Sequence, residues 1–167
     1  MLILGIDPGL ATTGFGLVKQ HGDRLLHVEC GCITTPSNFD PHKRLEKIYS
    51  ELKQLLIDYK PDALALERIY FGANSKTAMM VGQARGIVLL VAAEKRIAIY
   101  EYTPLEIKLA ITGYGKADKK QVQEMIKTLL RLESLPKPDD AADALAVAIC
   151  HLHSFKLSAD LRSRFER

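Results

Sequence analysis

Apolar and polar residues alternate along the chain in a pattern that predicts strands first and helices later. Residues 2–6 form a nearly uninterrupted apolar run, typical of a strand buried on both faces, and the run ends at Asp7. Pro8 favours an extended conformation for Asp7, and the Pro8-Gly9 pair then turns the chain. We therefore expect Asp7 at the carboxyl end of an interior strand, where an uncompensated charge would be costly.

The next segments predict a meander, a helix and a second strand that ends on an acid. Residues 14–20 and 24–35 have strand character and a tight connection. Apolar residues then recur three and four apart up to Tyr59, which predicts an amphipathic helix. Residues 62–67 are a short apolar run that ends at Glu67. A strand, a helix and a strand imply a right-handed crossover and a parallel pair. If the partner is the first strand, Asp7 and Glu67 emerge at one sheet edge, with the strands about 4.8 Å apart.

The second half of the chain predicts helices around one more strand. A helix is expected over residues 77–95, a strand over 97–101, and two helices between Thr103 and Leu130. In the first of these helices Ala78, Gly82 and Gly86 lie four apart. Because a glycine inside a helix costs about 1 kcal/mol relative to alanine, some close neighbour should need the space. Two explanations stay open: close approach of a helix or of the sheet, and a subunit interface.

A last helix of small residues is predicted from Asp140 to about His153. Asp140 and Asp143 are three apart, so they are neighbours on one flank of it, and the alanines around them allow close packing on the sheet. The alternative is that Asp139 or Asp140 only caps the helix. We expect one domain over residues 1–155, followed by a mobile basic tail over 156–167.

Composition narrows the functional classes. The 167 residues are 47% hydrophobic and 26% charged, as in a globular protein of one domain. The longest apolar run, residues 87–93, is far shorter than the roughly 20 residues of a membrane helix, and no signal peptide is indicated. We expect a cytoplasmic protein with no membrane partner. Three cysteines indicate neither a disulfide framework nor a zinc site. The net charge of +3 is compatible with a polyanionic partner.

Four acids have candidate positions around one point: Asp7, Glu67, Asp140 and Asp143. Two carboxylates about 5 Å apart repel by about 3 kcal/mol at an effective dielectric constant near 20, so four together require cations. Oxygen-only ligands favour Mg²⁺ or Mn²⁺ over zinc. Two such ions about 3.5–4 Å apart are the usual apparatus for hydrolysis of a phosphodiester.

The motifs, taken in order, are specific to one family. They are Gly5-Ile6-Asp7-Pro8-Gly9, Thr13-Gly14-Phe15-Gly16, residues 67–71, Gly82-Gln83-Ala84-Arg85-Gly86, Glu101-Tyr102, Gly113-Tyr114-Gly115, Lys119 with Gln121-Val122-Gln123, and residues 140–146. Over almost its full length the sequence resembles the RuvC family of bacterial Holliday-junction resolvases. The resemblance implies an α/β, RNase H-like fold with a central mixed five-stranded sheet flanked by helices.

The resemblance also implies an activity. Members of the family bind four-way DNA junctions as homodimers and make paired symmetric nicks in recombination and repair. They use metal-dependent hydrolysis that leaves 5′-phosphate and 3′-hydroxyl ends, and their partners are the RuvA and RuvB branch-migration proteins. We expect Mg²⁺, two ions per active site, with Mn²⁺ able to substitute.

Residue roles follow from the motif positions. Asp7, Glu67, Asp140 and Asp143 match the metal-holding acids. Tyr70 matches an aromatic residue thought to stack on a base, and tyrosine keeps that stacking face. Lys108 and Lys119 match basic residues near the scissile phosphate, although Lys120 leaves the register open by one residue. A wider phosphate-tracking surface on the acidic side of the sheet is expected to include these residues: Arg68, Lys76, Arg85, Lys108, Lys116, Lys119 and Lys120.

Two other functions compete with this interpretation. A Gly-Ile-Asp-x-Gly turn before a glycine-rich strand also opens the actin-like sugar kinases, where it cradles phosphate. Those proteins have two such domains, and this chain has room for one. The other alternative is an RNase H-like nuclease that acts on structured RNA, which competition between a junction and RNA would distinguish.

Overall fold

The structure is a computed structural model that describes residues 1–68 and 75–165, with side chains described up to residue 68 and from 78 to 155. Five strands and five helices follow one another in the described chain: β1 (Leu2–Asp7), β2 (Thr12–His21), β3 (Arg24–Thr34), α1 (Pro41–Tyr59), β4 (Ala63–Glu67), α2 (Ser75–Glu94), β5 (Ala98–Tyr102), α3 (Pro104–Thr112), α4 (Lys119–Leu130) and α5 (Asp139–Phe165). None of these helices is long and apolar enough to cross a membrane.

The five strands form one mixed sheet in the order β3-β2-β1-β4-β5. The first three strands are an antiparallel meander, as the sequence predicted. The crossover through α1 places β4 parallel to β1, and β5 adds a second parallel pair. The expected partner of the Glu67 strand is therefore confirmed as the Asp7 strand. The carboxyl ends of β1, β4 and β5 all meet at one edge of the sheet.

Helices cover both faces of the sheet and create two hydrophobic cores. Even-numbered residues of β1 and β4, such as Leu4 and Leu66, pack with α1 and α2. Odd-numbered residues, such as Ile3 and Ala65, pack with α3, α4 and α5. This alternation follows from the two-residue period of a strand. It also decides which side of the sheet each acid faces, because Asp7 and Glu67 are odd-numbered.

Helix α5 lies unusually close to the sheet because three strand positions on that face are glycines. A Cβ atom on Gly5 would lie 2.0 Å from the carbonyl oxygen of Ala144. A Cβ atom on Gly14 would lie 2.1 Å from the carbonyl oxygen of Asp140, and Gly16 meets Leu145 in the same way. The expectation that an alanine-rich helix packs tightly on the sheet is confirmed.

The sequence predicted that α5 ends near His153, but the helix continues to Phe165. From Ala144 to Leu152 it is buried on every side. The reason is that α3 and α4 cover the side of α5 that points away from the sheet.

The glycines of α2 find no close neighbour within the chain. A Cβ atom built on Gly82 or Gly86 would meet nothing within 4 Å. Close approach to another part of the described chain is therefore not the reason for these glycines. A subunit interface is the explanation that stays open.

Candidate active site

Asp7 and Glu67 lie side by side at the edge where the parallel strands end. Ile6 pairs with Leu66, so the next residue of each strand carries a carboxylate. Both side chains point to the face covered by α5, and both are partly buried. The predicted meeting of the two strand-end acids is thus found in the fold.

The first turn of α5 brings Asp140 and Asp143 to the same edge. Gly14 is the cross-strand partner of Asp7. A Cβ atom on Gly14 would lie 3.0 Å from Cβ of Asp140, so the start of α5 passes directly over β2 beside Asp7. Asp143 follows one turn later and lines a cleft with Glu67. Glycine at position 14 is therefore what lets the helix acids approach the strand acids.

The cleft beside the acids has a volume of about 220 Å³, and Lys108 and Lys119 also line it. Nζ of Lys119 donates to Oδ2 of Asp143 at 3.0 Å, and it lies 3.2 Å from Oδ2 of Asp139. Lys120 makes no ion pair with any described residue. Larger cavities, of about 750 and 520 Å³, lie between β3 and the α4 region, and none of the four acids lines them.

The acids are close enough to change one another's ionisation. Burial raises the pKa of Asp7 from 3.8 to about 7, helped by repulsion from Asp143, Asp140 and Glu67 and opposed by Lys119. Burial and Asp143 also raise the pKa of Glu67. Desolvation acts to lower the pKa of Lys119, but hydrogen bonds to Asp143 and Asp139 outweigh it and raise that pKa. Asp7 is therefore at the centre of the negative charge.

The donor set fits a hard divalent cation. It contains carboxylate oxygens, and repulsion among them is relieved when positive charge is added. In the described residues no three His, Cys, Asp or Glu side chains converge as tightly as the ligands of one ion.

The other predicted DNA contacts are only partly described. Tyr70 lies outside the described residues, and the side chain of Lys76 lies outside them too. Arg68 follows β4 directly, and its side chain is about half exposed. Lys116 is exposed in the turn between α3 and α4, and Lys120 is exposed in the first turn of α4.

Arg85 occupies a different position from the one expected. It belongs to α2, which covers the face of the sheet opposite α5. Its Nη1 donates to the main-chain carbonyl of Glu67 at 3.1 Å, and its Nη2 pairs with Oε1 of Glu101. The Arg85 side chain is 14% exposed. Arg85 therefore does not join the lysines on the acidic side of the sheet, because both ends of its guanidinium are engaged behind it.

Sequence reasoning assigned no active-site contact to Glu101 or Asp139. Glu101 pairs with Leu66 in the β4–β5 ladder, so the parallel register was the signal that could have found it. Asp139 was considered only as a helix cap. Its Oδ2 faces Lys119, and its Oδ1 accepts from Nε2 of Gln123 at 3.2 Å. These hydrogen bonds from Lys119 and Gln123 lower the pKa of Asp139.

Comparison with known proteins identifies the family of the chain. The family model described as crossover junction endodeoxyribonuclease RuvC matches residues 3–151. The protein of that name from Syntrophomonas wolfei is 54% identical over 163 residues, 98% of this chain and 95% of the relative. The Rubrobacter xylanophilus protein is 52% identical over 158 residues, 95% of this chain and 88% of the relative.

The fold matches solved structures of the same family. The solved structure of T. thermophilus RuvC in complex with a Holliday junction substrate superposes with a TM-score of 0.91 at 31% identity, covering 95% of this chain and 96% of that one. The resemblance noted in the motifs and the RNase H-like fold are both confirmed. The chain belongs to the RuvC family of crossover junction endodeoxyribonucleases.

Proposed function

We propose that this chain resolves four-way DNA junctions by metal-dependent hydrolysis of phosphodiester bonds. The observation that carries the proposal is the gathering of Asp7, Glu67, Asp140 and Asp143, from three separate elements, around one sheet edge beside Lys119. Family membership supports the choice of substrate, since the matching T. thermophilus protein was solved with a Holliday junction.

Mg²⁺ is the cation we propose, with Mn²⁺ able to replace it and two ions in each site. Carboxylate oxygens from two strand ends and one helix are the ligands that such hard cations prefer. Asp7, Glu67, Asp140 and Asp143 would hold these ions, and Asp7 is repelled by all three of the other acids.

Lysine side chains in the cleft supply positive charge for the reaction. When bound, a pair of divalent cations provides an attacking water of lowered pKa and neutralises charge on the phosphate. Lys119 carries a positive charge into the cleft at the Asp143 side, where it would stabilise negative charge on the departing 3′ oxygen. Loss of that oxygen from phosphorus leaves a 5′-phosphate and a 3′-hydroxyl. Lys108 lines the same cleft and adds positive charge.

We assign phosphate tracking to the basic residues on the acidic side of the sheet. Lys108 and Lys119 line the cleft. Lys116 and Lys120 are exposed and lie within three residues of Lys119 in the sequence. Arg68 follows Glu67 at the end of β4, but its Nε lies 4.0 Å from Oε2 of Glu101, so any phosphate that it contacts lies toward the α2 side of this edge. Base stacking by Tyr70 and a phosphate contact of Lys76 are proposed on the family resemblance and the chemistry of these side chains alone.

A second copy of the chain is the occupant we propose for the open face of α2. This face is apolar and accessible: Met79 is 67% exposed and Leu90 is 50% exposed, with Gly82 and Gly86 between them. An exposed apolar helix face marks an interface, and the glycines would let a partner helix approach closely. The homodimer implied by the family would use it. RuvA and RuvB are proposed as partners on the family resemblance.

The central test compares the wild-type protein with Asp7→Asn on an immobile four-way junction labelled in turn on each strand. Wild type in Mg²⁺ should produce paired nicks at symmetric positions, with 5′-phosphate ends that DNA ligase reseals. Asp7→Asn should not cleave but should still bind the junction, since removal of negative charge does not weaken attraction to phosphate.

The control is the same reaction in EDTA, with a linear duplex and a structured RNA as competitors. Cleavage by Asp7→Asn at a rate near that of wild type would disprove the assignment of the acids. Preferential binding and cleavage of the RNA would instead favour a ribonuclease.

A further inference from the structure

Helix α2 holds the end of β4 from the side of the sheet opposite the acids. Arg85 donates through Nη1 to the carbonyl oxygen of Glu67 at 3.1 Å and pairs through Nη2 with Glu101 on β5. The main chain is tied one residue later, where the amide of Arg68 donates to the carbonyl of Tyr102 at 2.7 Å. The main chain just after the Glu67 side chain is therefore fixed to two neighbouring elements.

The alternation along the strands explains why this contact cannot be part of the acidic cluster itself. Glu101 pairs with Leu66 and so faces α2, whereas Glu67 points to the face of α5. The guanidinium thus reaches the main chain of Glu67 from behind, while the carboxylate stays free to face Asp143. A charge that is only 14% exposed requires a partner, and Glu101 supplies it.

We infer that Arg85 is a positioning residue for the metal ligand Glu67, and that Glu101 holds Arg85 in place. This inference depends on the proposed function, because it assigns Glu67 to metal binding. Ligand sites tolerate displacements of only about 0.5 Å before binding weakens. Without Arg85 the carbonyl of Glu67 loses a donor, and Glu101 keeps only its longer contact with Nε of Arg68, at 4.0 Å, so the strand end can rotate the carboxylate of Glu67 away from Asp7 and Asp143.

The competing role for Arg85 is contact with DNA phosphate, as the sequence suggested. The two roles differ in what a substitution changes. A phosphate contact governs junction affinity and its dependence on salt. A positioning role governs metal affinity, even when no DNA is present.

The experiment measures Mn²⁺ binding to the full-length protein without DNA, by calorimetry or electron paramagnetic resonance. Arg85→Ala should weaken Mn²⁺ binding by about tenfold, the effect typical of residues that orient metal ligands. The Mg²⁺ concentration for half-maximal cleavage should rise in the same proportion. Junction affinity measured with Ca²⁺ in place of Mg²⁺ should stay within about twofold of wild type. Glu101→Gln keeps the size of the side chain and should weaken Mn²⁺ binding by a smaller factor.

Arg44→Ala is the matched control. Arg44 is a partly buried arginine on α1, the other helix of the same face, and its Nε donates to the hydroxyl of Thr35 at 2.8 Å. Its removal should leave Mn²⁺ affinity unchanged. Partial unfolding of Arg85→Ala would lower the number of Mn²⁺ sites and leave the dissociation constant unaltered. In that case the Mn²⁺ affinity of Glu101→Gln tests the inference.

The inference is overturned if both variants bind Mn²⁺ like wild type, or if Arg85→Ala loses junction affinity while its metal affinity is normal. Absence of Mn²⁺ binding by wild type would instead refute the proposed metal site itself. The two failures are therefore distinguishable.

Discussion

Replacing Asp7 by asparagine should make the protein more stable while it abolishes cleavage. Asp7 is a partly buried acid that faces three other carboxylates, so its ionisation in the folded state is unfavourable. Asparagine has nearly the same shape, carries no charge and offers a donor to the neighbouring carboxylates. The gain in stability should depend on pH in a way that the pKa of Asp7 determines.

The magnitude follows from the shift in pKa from 3.8 to about 7. Because the folded state holds this proton more tightly than the unfolded chain does, the penalty is absent below about pH 4, grows as the pH rises, and is complete above pH 7. At about 1.4 kcal/mol per pKa step, the stabilisation by Asp7→Asn is about 4 kcal/mol at pH 8 and less than half of that at pH 5. For a protein of this size, the larger value corresponds to a rise of about 8–16 °C in the midpoint of thermal unfolding.

Denaturant and thermal unfolding in EDTA at pH 5 and pH 8 measure this difference. Asp139→Asn is the control, because Asp139 is exposed and its hydrogen bonds with Lys119 and Gln123 lower its pKa. The control should not be stabilised at either pH. The reasoning is refuted if Asp7→Asn is no more stable than wild type at pH 8, or if the gain is the same at both pH values. Saturating Mg²⁺ should reduce the gain, since it stabilises only the wild-type site.

Two further perturbations test the lysine and the subunit interface. Lys119→Ala should slow cleavage at saturating Mg²⁺ by about 100-fold, as loss of one charge-stabilising donor does, with only a small change in the salt dependence of junction binding. Lys120→Ala is the control. An equal loss of cleavage in that variant would show that Lys119 is not the lysine that stabilises the departing oxygen. Leu90→Glu on the open face of α2 should convert a dimer into a monomer in sedimentation experiments without lowering the thermal midpoint by more than a few degrees. A wild-type protein that is already monomeric would contradict the proposed interface.

The sequence was sufficient for the elements that carry the acids. An apolar run that ends on Asp7, a second that ends on Glu67, and a helix between them determine a parallel pair through the handedness of crossovers. Asp140 and Asp143 could be placed because helix periodicity puts residues three apart on one flank. The start of α3 also follows from its capping residue, Thr103, whose hydroxyl accepts from the amide of Glu106.

What the sequence could not give depends on contacts between distant segments. The complete burial of α5 requires α3 and α4 to fold over it, and no local pattern encodes that packing. The position of Arg85 was not predicted because a basic residue in a motif of a DNA-binding family suggests a phosphate contact. Only the structure shows which groups its guanidinium binds. Its acceptor is a main-chain carbonyl, which leaves no trace in the sequence.

The spacing between the strand acids and the helix acids is set by residues that lack a side chain. A methyl group at position 5 or 14 would enter the backbone of α5 and lift Asp140 and Asp143 away from Asp7. A genetic screen for inactive variants would therefore recover substitutions of these glycines beside those of the acids, although neither glycine has a group that can act on DNA. In this protein, loss of function on substitution does not show that a residue takes part in the chemistry. Some residues are needed only because their small size keeps the catalytic acids close together.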